Sequence, residues 1–158
     1  MDKLIITVAG VGAETTKEAQ PGLPVTAAEI GADAARCREA GAAMYHLHVR
    51  DAAANPTQAV EAFGAAIEEI RKRTDIIIQT STGGAMGMTA DERLQPLQLD
   101  PEMASLTTGT ANFGDAVFFN DAALMSEFYQ RMQARGVRPE FEIFEAGQID
   151  NALKLVKK

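Results

Sequence analysis

Short apolar runs alternate along this chain with longer stretches in which apolar residues recur every three or four positions. Residues 3–9 form a short Ile/Val-rich run ended by Gly10-Val11-Gly12 and read as a buried strand. Residues 10–24 form a polar loop closed by Pro21, Gly22 and Pro24, long for a strand-to-helix connection. Thr26-Ala27-Ala28-Glu29 is a capping box, so a helix starts there and runs to Gly41. The apolar run 42–49 is the second strand. Thr57 is expected to cap a second helix, with Val60, Phe63, Ala66, Ile67 and Ile70 on one face and charged residues on the other. Ile76-Ile77-Ile78-Gln79-Thr80 is a third strand, ending at Ser81-Thr82-Gly83-Gly84. A second capping box, Thr89-Ala90-Asp91-Glu92, opens a short helix that ends near Pro96. Met103 to Thr107 is the fourth strand, and Asp121 opens a helix that Gly136 stops after Arg135. Phe141 to Phe144 is the fifth strand, and a last helix runs from Asp150 to Lys158.

Apolar strands alternating with helices imply parallel strands with right-handed crossovers. Two architectures meet that order: an open doubly wound sheet, or part of a (β/α)8 TIM-type barrel. The polar residues decide between them. His46, His48, Ser81, Thr107 and Glu142 all fall at or near strand C-termini, and convergence from every strand suits a barrel mouth. A complete barrel has eight units over typically ~250 residues, whereas about five units fit in this 158-residue chain. The expectation is therefore one partial barrel domain over residues 1–158, the N-terminal part of a barrel, with no internal boundary.

Composition narrows the partners. The net charge of −7 argues against nucleic acid or an anionic membrane, since both require clustered Lys and Arg. No apolar run approaches the ~20 residues of a transmembrane helix, and no signal-peptide pattern is present, so the cytoplasm is the expected compartment. Cys37 is the only cysteine, which excludes an internal disulfide, and its helical setting suits a buried small hydrophobe better than a nucleophile.

The chemistry concentrates in His46-Leu47-His48, which holds the only two histidines. On a strand, residues i and i+2 share a face, placing the two imidazoles ~6.5–7 Å apart at Cα and able to converge on one metal ion. The alternative is a pair of hydrogen-bonded polar residues on a half-exposed strand. Arg50 and Asp51 follow immediately and are expected to form at most a loop ion pair. Ser81-Thr82-Gly83-Gly84 can cradle an anion with hydroxyl and backbone N–H groups, or be an ordinary turn. The segment from Gly83 to Met88 lacks the Lys-Ser/Thr of a P-loop, and Met86 and Met88 are expected to pack.

Taken in order, Ile5-Ile6-Thr7-Val8-Ala9 with Glu14, His46-Leu47-His48-Val49-Arg50-Asp51, Ser81-Thr82-Gly83-Gly84, Ala104 through Gly114 and Phe118-Phe119-Asn120 resemble the β-keto acid cleavage enzyme family across essentially the whole chain. The resemblance implies a (β/α)8 barrel that holds a divalent metal, usually Zn2+, at its C-terminal mouth. It also implies condensation of a β-keto acid with acetyl-CoA to give acetoacetate and a new acyl-CoA. His46 and His48 match the family's metal-binding pair. Glu14 matches its first-loop acid, Ser81 the serine before the glycine pair, and Gly84 the point where backbone approaches substrate. Thr107, with Ser105 as alternative, matches the fourth-strand hydroxyl. Glu142, or Glu145, matches the fifth-strand acid, which is expected to pair with an arginine or be exposed. The family's third metal ligand, a glutamate beside a proton-transferring aspartate and near an arginine, lies on a later strand beyond this sequence. The resemblance thus implies catalysis only in a completed barrel. A non-catalytic half-barrel that binds metal or ligand, and a metal-dependent hydrolase, are the other readings. Open sheet edges imply a homo-oligomer.

Overall fold

A computed structural model describes residues 3–85 and 87–157. Met86, expected to pack, and Lys158, the expected end of the last helix, lie outside the described residues. Five strands form one parallel sheet in the order β1 (Thr7–Val8), β2 (Met44–Leu47), β5 (Ile77–Thr80), β6 (Met103–Thr107) and β9 (Arg138–Glu142). The connections run through helices α1 (Ala27–Glu39), α2 (Val60–Arg71), α3 (Ala90–Arg93) and α4 (Ala122–Ala134), and α5 (Ala146–Val156) follows β9. The sheet is a curled half-barrel with strands in chain order, as the sequence pattern predicts for a TIM-type barrel. A doubly wound sheet reverses its strand order at a switch point, and this one does not.

Local chemistry explains most element ends. Thr26 and Thr89 each complete a capping box: the hydroxyl accepts from the backbone of Glu29 or Glu92, whose carboxylate returns to the threonine N–H. Asp121 caps α4 by accepting from the Leu124 N–H. Gly41 and Gly136 follow α1 and α4 in the left-handed conformation (φ 106° and 71°).

One face of the sheet packs on the helices, and the other is polar. Tyr45, Leu47, Ile78, Ala104 and Leu106 point into the helix layer and are fully buried with Ile30, Phe63, Ile70, Phe128 and Met132. The alternate residues, among them His46, Gln79, Ser105, Thr107, Glu140 and Glu142, occupy the inner face. Gly10 is required by this layering, because a Cβ there would lie 2.1 Å from the Tyr45 hydroxyl, which donates to Asp33. Cys37 is half-buried against the core, and burial pushes its thiol pKa up, so it stays protonated as expected of a small hydrophobe.

Several expectations are corrected. Only Thr7–Val8 of residues 3–9 pairs in the sheet, and Leu4, Ile5 and Ile6 are exposed along its β1 edge. Thr57 does not cap α2. It lies in β4 (Pro56–Thr57), which pairs antiparallel with β3 (Val49–Arg50), and Ala59 is the cap residue. A second hairpin, β7 (Ala111–Phe113) with β8 (Ala116–Phe118), occupies a stretch that the pattern leaves as loop. The short helix α3 ends at Arg93, before a 3-10 turn (Gln95–Leu99). β9 starts at Arg138 rather than Phe141, because its backbone pairs with β6 from Met103 onward. α5 starts at Ala146 rather than Asp150.

Candidate metal and anion site at the strand ends

His46 stands next to the last residue of β2, beside Gln79 of β5, its direct register partner, and His48 follows just past the strand end. The His46 Nδ1 lies 2.6 Å from Gln79 Oε1, and Gln79 Nε2 donates across to Glu140 Oε2 at 2.8 Å. The sequence-predicted pair converges: His46 Nε2 and His48 Nε2 are 3.2 Å apart, with the rings edge to face. A tetrahedral ion with Zn–N bonds of 2.0–2.1 Å separates two nitrogen ligands by ~3.3–3.4 Å, so the spacing fits two ligands of one ion. Among the described residues, no group of three or more His, Cys, Asp or Glu is placed to hold a metal.

Burial, then the neighbouring His46 and Arg50, holds the His48 pKa down to about 4 from an ordinary 6.5. Neutral imidazole is the form that ligates metal. The same depression makes the metal-free fold acid-sensitive. Above pH 6.5 neither the folded nor the unfolded His48 is protonated. Between 6.5 and about 4 only the unfolded chain takes the proton, so stability falls as pH falls through that window. With 1.36 kcal/mol for each pKa unit, the loss amounts to about 3 kcal/mol. Urea unfolding in chelator at pH 7 and pH 4.5 should show it, and His48→Gln should remove that part of the pH dependence.

The histidines open on a cavity of about 340 Å3, lined also by Thr7, Ala9, Gly12, Gln79, Glu140 and Glu142. Glu142 reaches this cavity from β9 and accepts from the Thr107 hydroxyl at 2.8 Å. Glu142, expected to pair with an arginine or be exposed, is half-buried: the Thr107 hydroxyl is its hydrogen-bond partner, and the buried Arg93 charge interacts with it electrostatically. Ser105 is turned elsewhere: its hydroxyl accepts from the Thr82 N–H. Glu145 is exposed at the cap position of α5 and makes no side-chain cap. Glu14 is exposed in the first loop, and the cavity lining does not include it. Arg50 makes no pair with Asp51. It donates to the carbonyls of Gly12, Thr15 and Ala54, tying the first loop to the end of β2, while Asp51 accepts from Ala53 and Asn55.

The Ser81–Gly84 segment is largely buried beside the site and rigidly held. Ser81 Oγ accepts from the Gly83 N–H, and Gln58 Nε2 donates to both the Ser81 and Arg93 carbonyls. Arg93, itself buried, donates to the Thr82 and Phe119 carbonyls and to Asn120 Oδ1, with its guanidinium 4.7 Å from the ring centroids of Phe118 and Phe128. Gly84 adopts φ 66°, and a Cβ there would lie 2.9 Å from Arg93 Cγ, so both backbone shape and space require glycine. Met88 packs onto this turn, its sulfur 3.3 Å from the Ala85 nitrogen.

Three residues of this arrangement escape the sequence reading. Gln79 carries a signal: it is a polar residue in an Ile-rich strand, two positions before Ser81 and therefore on the same face. Glu140 repeats the alternation of the histidines, since Glu140-Phe141-Glu142 is a Glu-x-Glu, but it lies outside the strand that the apolar run marks. Arg93 carries none, because an arginine after a capping box ordinarily faces solvent.

Several known proteins are similar to this chain. A 3-keto-5-aminohexanoate cleavage enzyme of Fusobacterium nucleatum subsp. nucleatum is 50% identical over 160 residues, spanning 100% of this chain and 59% of that protein. A 3-oxoadipate:acetyl-CoA acetyltransferase of Cupriavidus necator is 37% identical, over 96% of this chain and 57% of that protein. The chain thus spans about three-fifths of the length of the curated relatives it matches. Among solved structures, the apo structure of ObcA superposes with a TM-score of 0.77 at 26% identity, over 87% of this chain and 33% of that one. A ternary complex of ObcA with a C4-CoA adduct and oxalate gives a TM-score of 0.75 at 25% identity, over 87% and 34%. The model of the beta-keto acid cleavage enzyme family matches residues 3–158, and the chain belongs to that family.

Proposed function

We propose that this chain carries the metal-binding half of a β-keto acid cleavage site, which condenses a β-keto acid with acetyl-CoA to give acetoacetate and a new acyl-CoA. The observation that carries the proposal is the 3.2 Å convergence of His46 and His48 Nε2 at the mouth of a cavity bearing Glu140 and Glu142. A divalent ion, Zn2+ by the nitrogen donor set, supplies a Lewis acid for the keto and carboxylate oxygens when bound there. Glu142, oriented by Thr107, faces the cavity as hydrogen-bond acceptor or base toward the substrate. The Ser81 hydroxyl hydrogen and the Gly84 N–H, on a turn held by Gln58 and Arg93, provide donors for a carboxylate. Glu14, at the exposed rim, reads the variable end of the keto acid. The exposed apolar residues at both sheet edges, Leu4 to Ile6 beside β1 and Ile143 and Phe144 after β9, favour a homo-oligomer in a cytoplasmic protein.

Native mass spectrometry with and without chelator, followed by an acetoacetate assay on acetyl-CoA with a panel of β-keto acids, tests this. The expected result is an oligomer that retains Zn2+ until chelated and forms acetoacetate. The second reading is a non-catalytic metal-binding half-barrel. Zinc retained without acetoacetate formation would select it. A metal-free monomer would rule out both.

A further inference from the structure

We propose that Glu140 and Gln79 together are a positioning device that sets the tautomer of His46, so that Nε2 presents its lone pair to the site. The argument is donor–acceptor counting along one chain of contacts. An ionised carboxylate only accepts hydrogen bonds. Glu140 Oε2 lies 2.8 Å from the Gln79 amide, so the NH2 end of that amide must face Glu140. Its carbonyl oxygen then faces His46 Nδ1, 2.6 Å away, and a carbonyl there requires Nδ1 to carry the proton. A neutral imidazole has one N–H, so His46 Nε2 is left as the acceptor. The charge on β9 thus fixes which nitrogen of a β2 histidine can bind metal, two side chains away. Gln79 is 1% exposed, so water does not compete for its amide.

The spacing of the elements makes the device rigid. Gln79 is the register partner of His46 on the adjacent strand, while Glu140 reaches it from across β6. Neither residue needs to touch substrate or metal. The device has its purpose in the metal site proposed above, yet its own claim concerns the metal-free protein and is measurable there.

Two readouts test it on the full chain. The first is the His46 tautomer, from long-range 1H–15N correlation spectra of ring-labelled protein in chelator. The second is Zn2+ affinity by competition with a chromogenic chelator. His46 should be the Nδ1–H tautomer in the wild type. Glu140→Gln is nearly isosteric but can also donate, which lets the Gln79 amide turn over and populates the Nε2–H tautomer. Outer partners of ligating histidines are typically worth ~10–100-fold in metal affinity, and Glu140→Gln should weaken Zn2+ binding within that range. The exchanged pair Gln79→Glu with Glu140→Gln restores the logic from the other side. A carboxylate at position 79 then accepts from both neighbours, and the pair should recover both the tautomer and the affinity.

A merely structural role for these residues would change unfolding midpoints without moving the tautomer. An Nε2–H wild-type His46, or a Glu140→Gln chain that keeps the wild-type tautomer, would overturn the inference. So would an exchanged pair that behaves no better than the single variant. Wild-type protein that shows the Nδ1–H tautomer but binds no Zn2+ would sink the metal reading while leaving the positioning device standing.

Discussion

Replacing His48 with alanine should weaken Zn2+ binding by roughly a hundredfold or more, a loss that only His46 should equal among the side chains of the site. Structural zinc sites with four protein ligands bind with ~10–16 kcal/mol, or about 3 kcal/mol for each ligand. Two converging nitrogens then supply ~5–8 kcal/mol, a dissociation constant of roughly 10⁻⁴ to 10⁻⁶ M, and one nitrogen half of that. His46→Ala should match His48→Ala, because either change leaves a single donor. The two nitrogens already stand 3.2 Å apart without metal, so binding an ion requires little movement of the rings and only transfer of the His48 Nε2 proton, which donates to His46 Nε2 in the metal-free protein. A variant such as Glu142→Gln alters the same cavity without touching either imidazole, and serves as the control. Titration with Zn2+ against a chromogenic chelator reads all four proteins. Equal affinities for wild type and His48→Ala would mean that the 3.2 Å contact is only a hydrogen bond between two rings. Loss of binding in His48→Ala with full binding in His46→Ala would place the ion elsewhere.

The way these residues come together also shows what a sequence can and cannot disclose. The two capping boxes are local, since one helical turn contains all the atoms involved, and the structure carries them as expected. The His-x-His pair is local too, but of the apolar run 42–49 only Met44–Leu47 forms β2, and His48 lies just past its end, where its ring still meets His46. The parallel strand order follows from the alternation of elements, which again needs only neighbours in the chain. Where pairing is long-range, the pattern is silent. Arg138-Pro139-Glu140 reads as polar punctuation, yet β6 draws it into the sheet and so brings Glu140 onto the inner face. The β7–β8 hairpin has no strong alternation of its own, and its position is tied to Arg93 through the Phe119 carbonyl, Asn120 and the Phe118 ring. Leu4-Ile5-Ile6 fails in the opposite sense. Its apolarity marks a buried strand, but among the described residues it has a strand neighbour on one side only, so burial does not follow. Polar residues placed by partners distant in sequence, Gln79, Glu140 and Arg93, are the ones whose roles required coordinates.

Arg93→Met should lower stability by about 2–6 kcal/mol, and the magnitude is set by two opposed effects. The guanidinium donates to the Thr82 carbonyl and Asn120 Oδ1, both buried bonds, and to the Phe119 carbonyl in a partly buried one. Hydrogen bonds to a charged group contribute ~1.5–3 kcal/mol each, a gross loss of roughly 5–9 kcal/mol when all three go. Against this, methionine relieves a buried cation. Burial pulls the Arg93 pKa down to about 10, which leaves it charged at neutral pH but measures a strain of about 3 kcal/mol. The hydrogen bonds win, and the flanking Phe118 and Phe128 rings add to the loss because methionine offers them no cation. Lysine should not rescue: a single ammonium cannot reach three acceptors that a planar fork spans. The consequence extends to the site, since Arg93 holds the Thr82 carbonyl and fills the space beside Gly84. Amide hydrogen exchange at Gly83, whose N–H is held by Ser81 Oγ, should therefore accelerate in Arg93→Met more than exchange in the α1–α2 core. Urea midpoints together with that exchange pattern are the measurement. An Arg93→Lys chain with the wild-type midpoint and wild-type Gly83 protection would show that charge alone, and not the fork, organises the anion-facing turn.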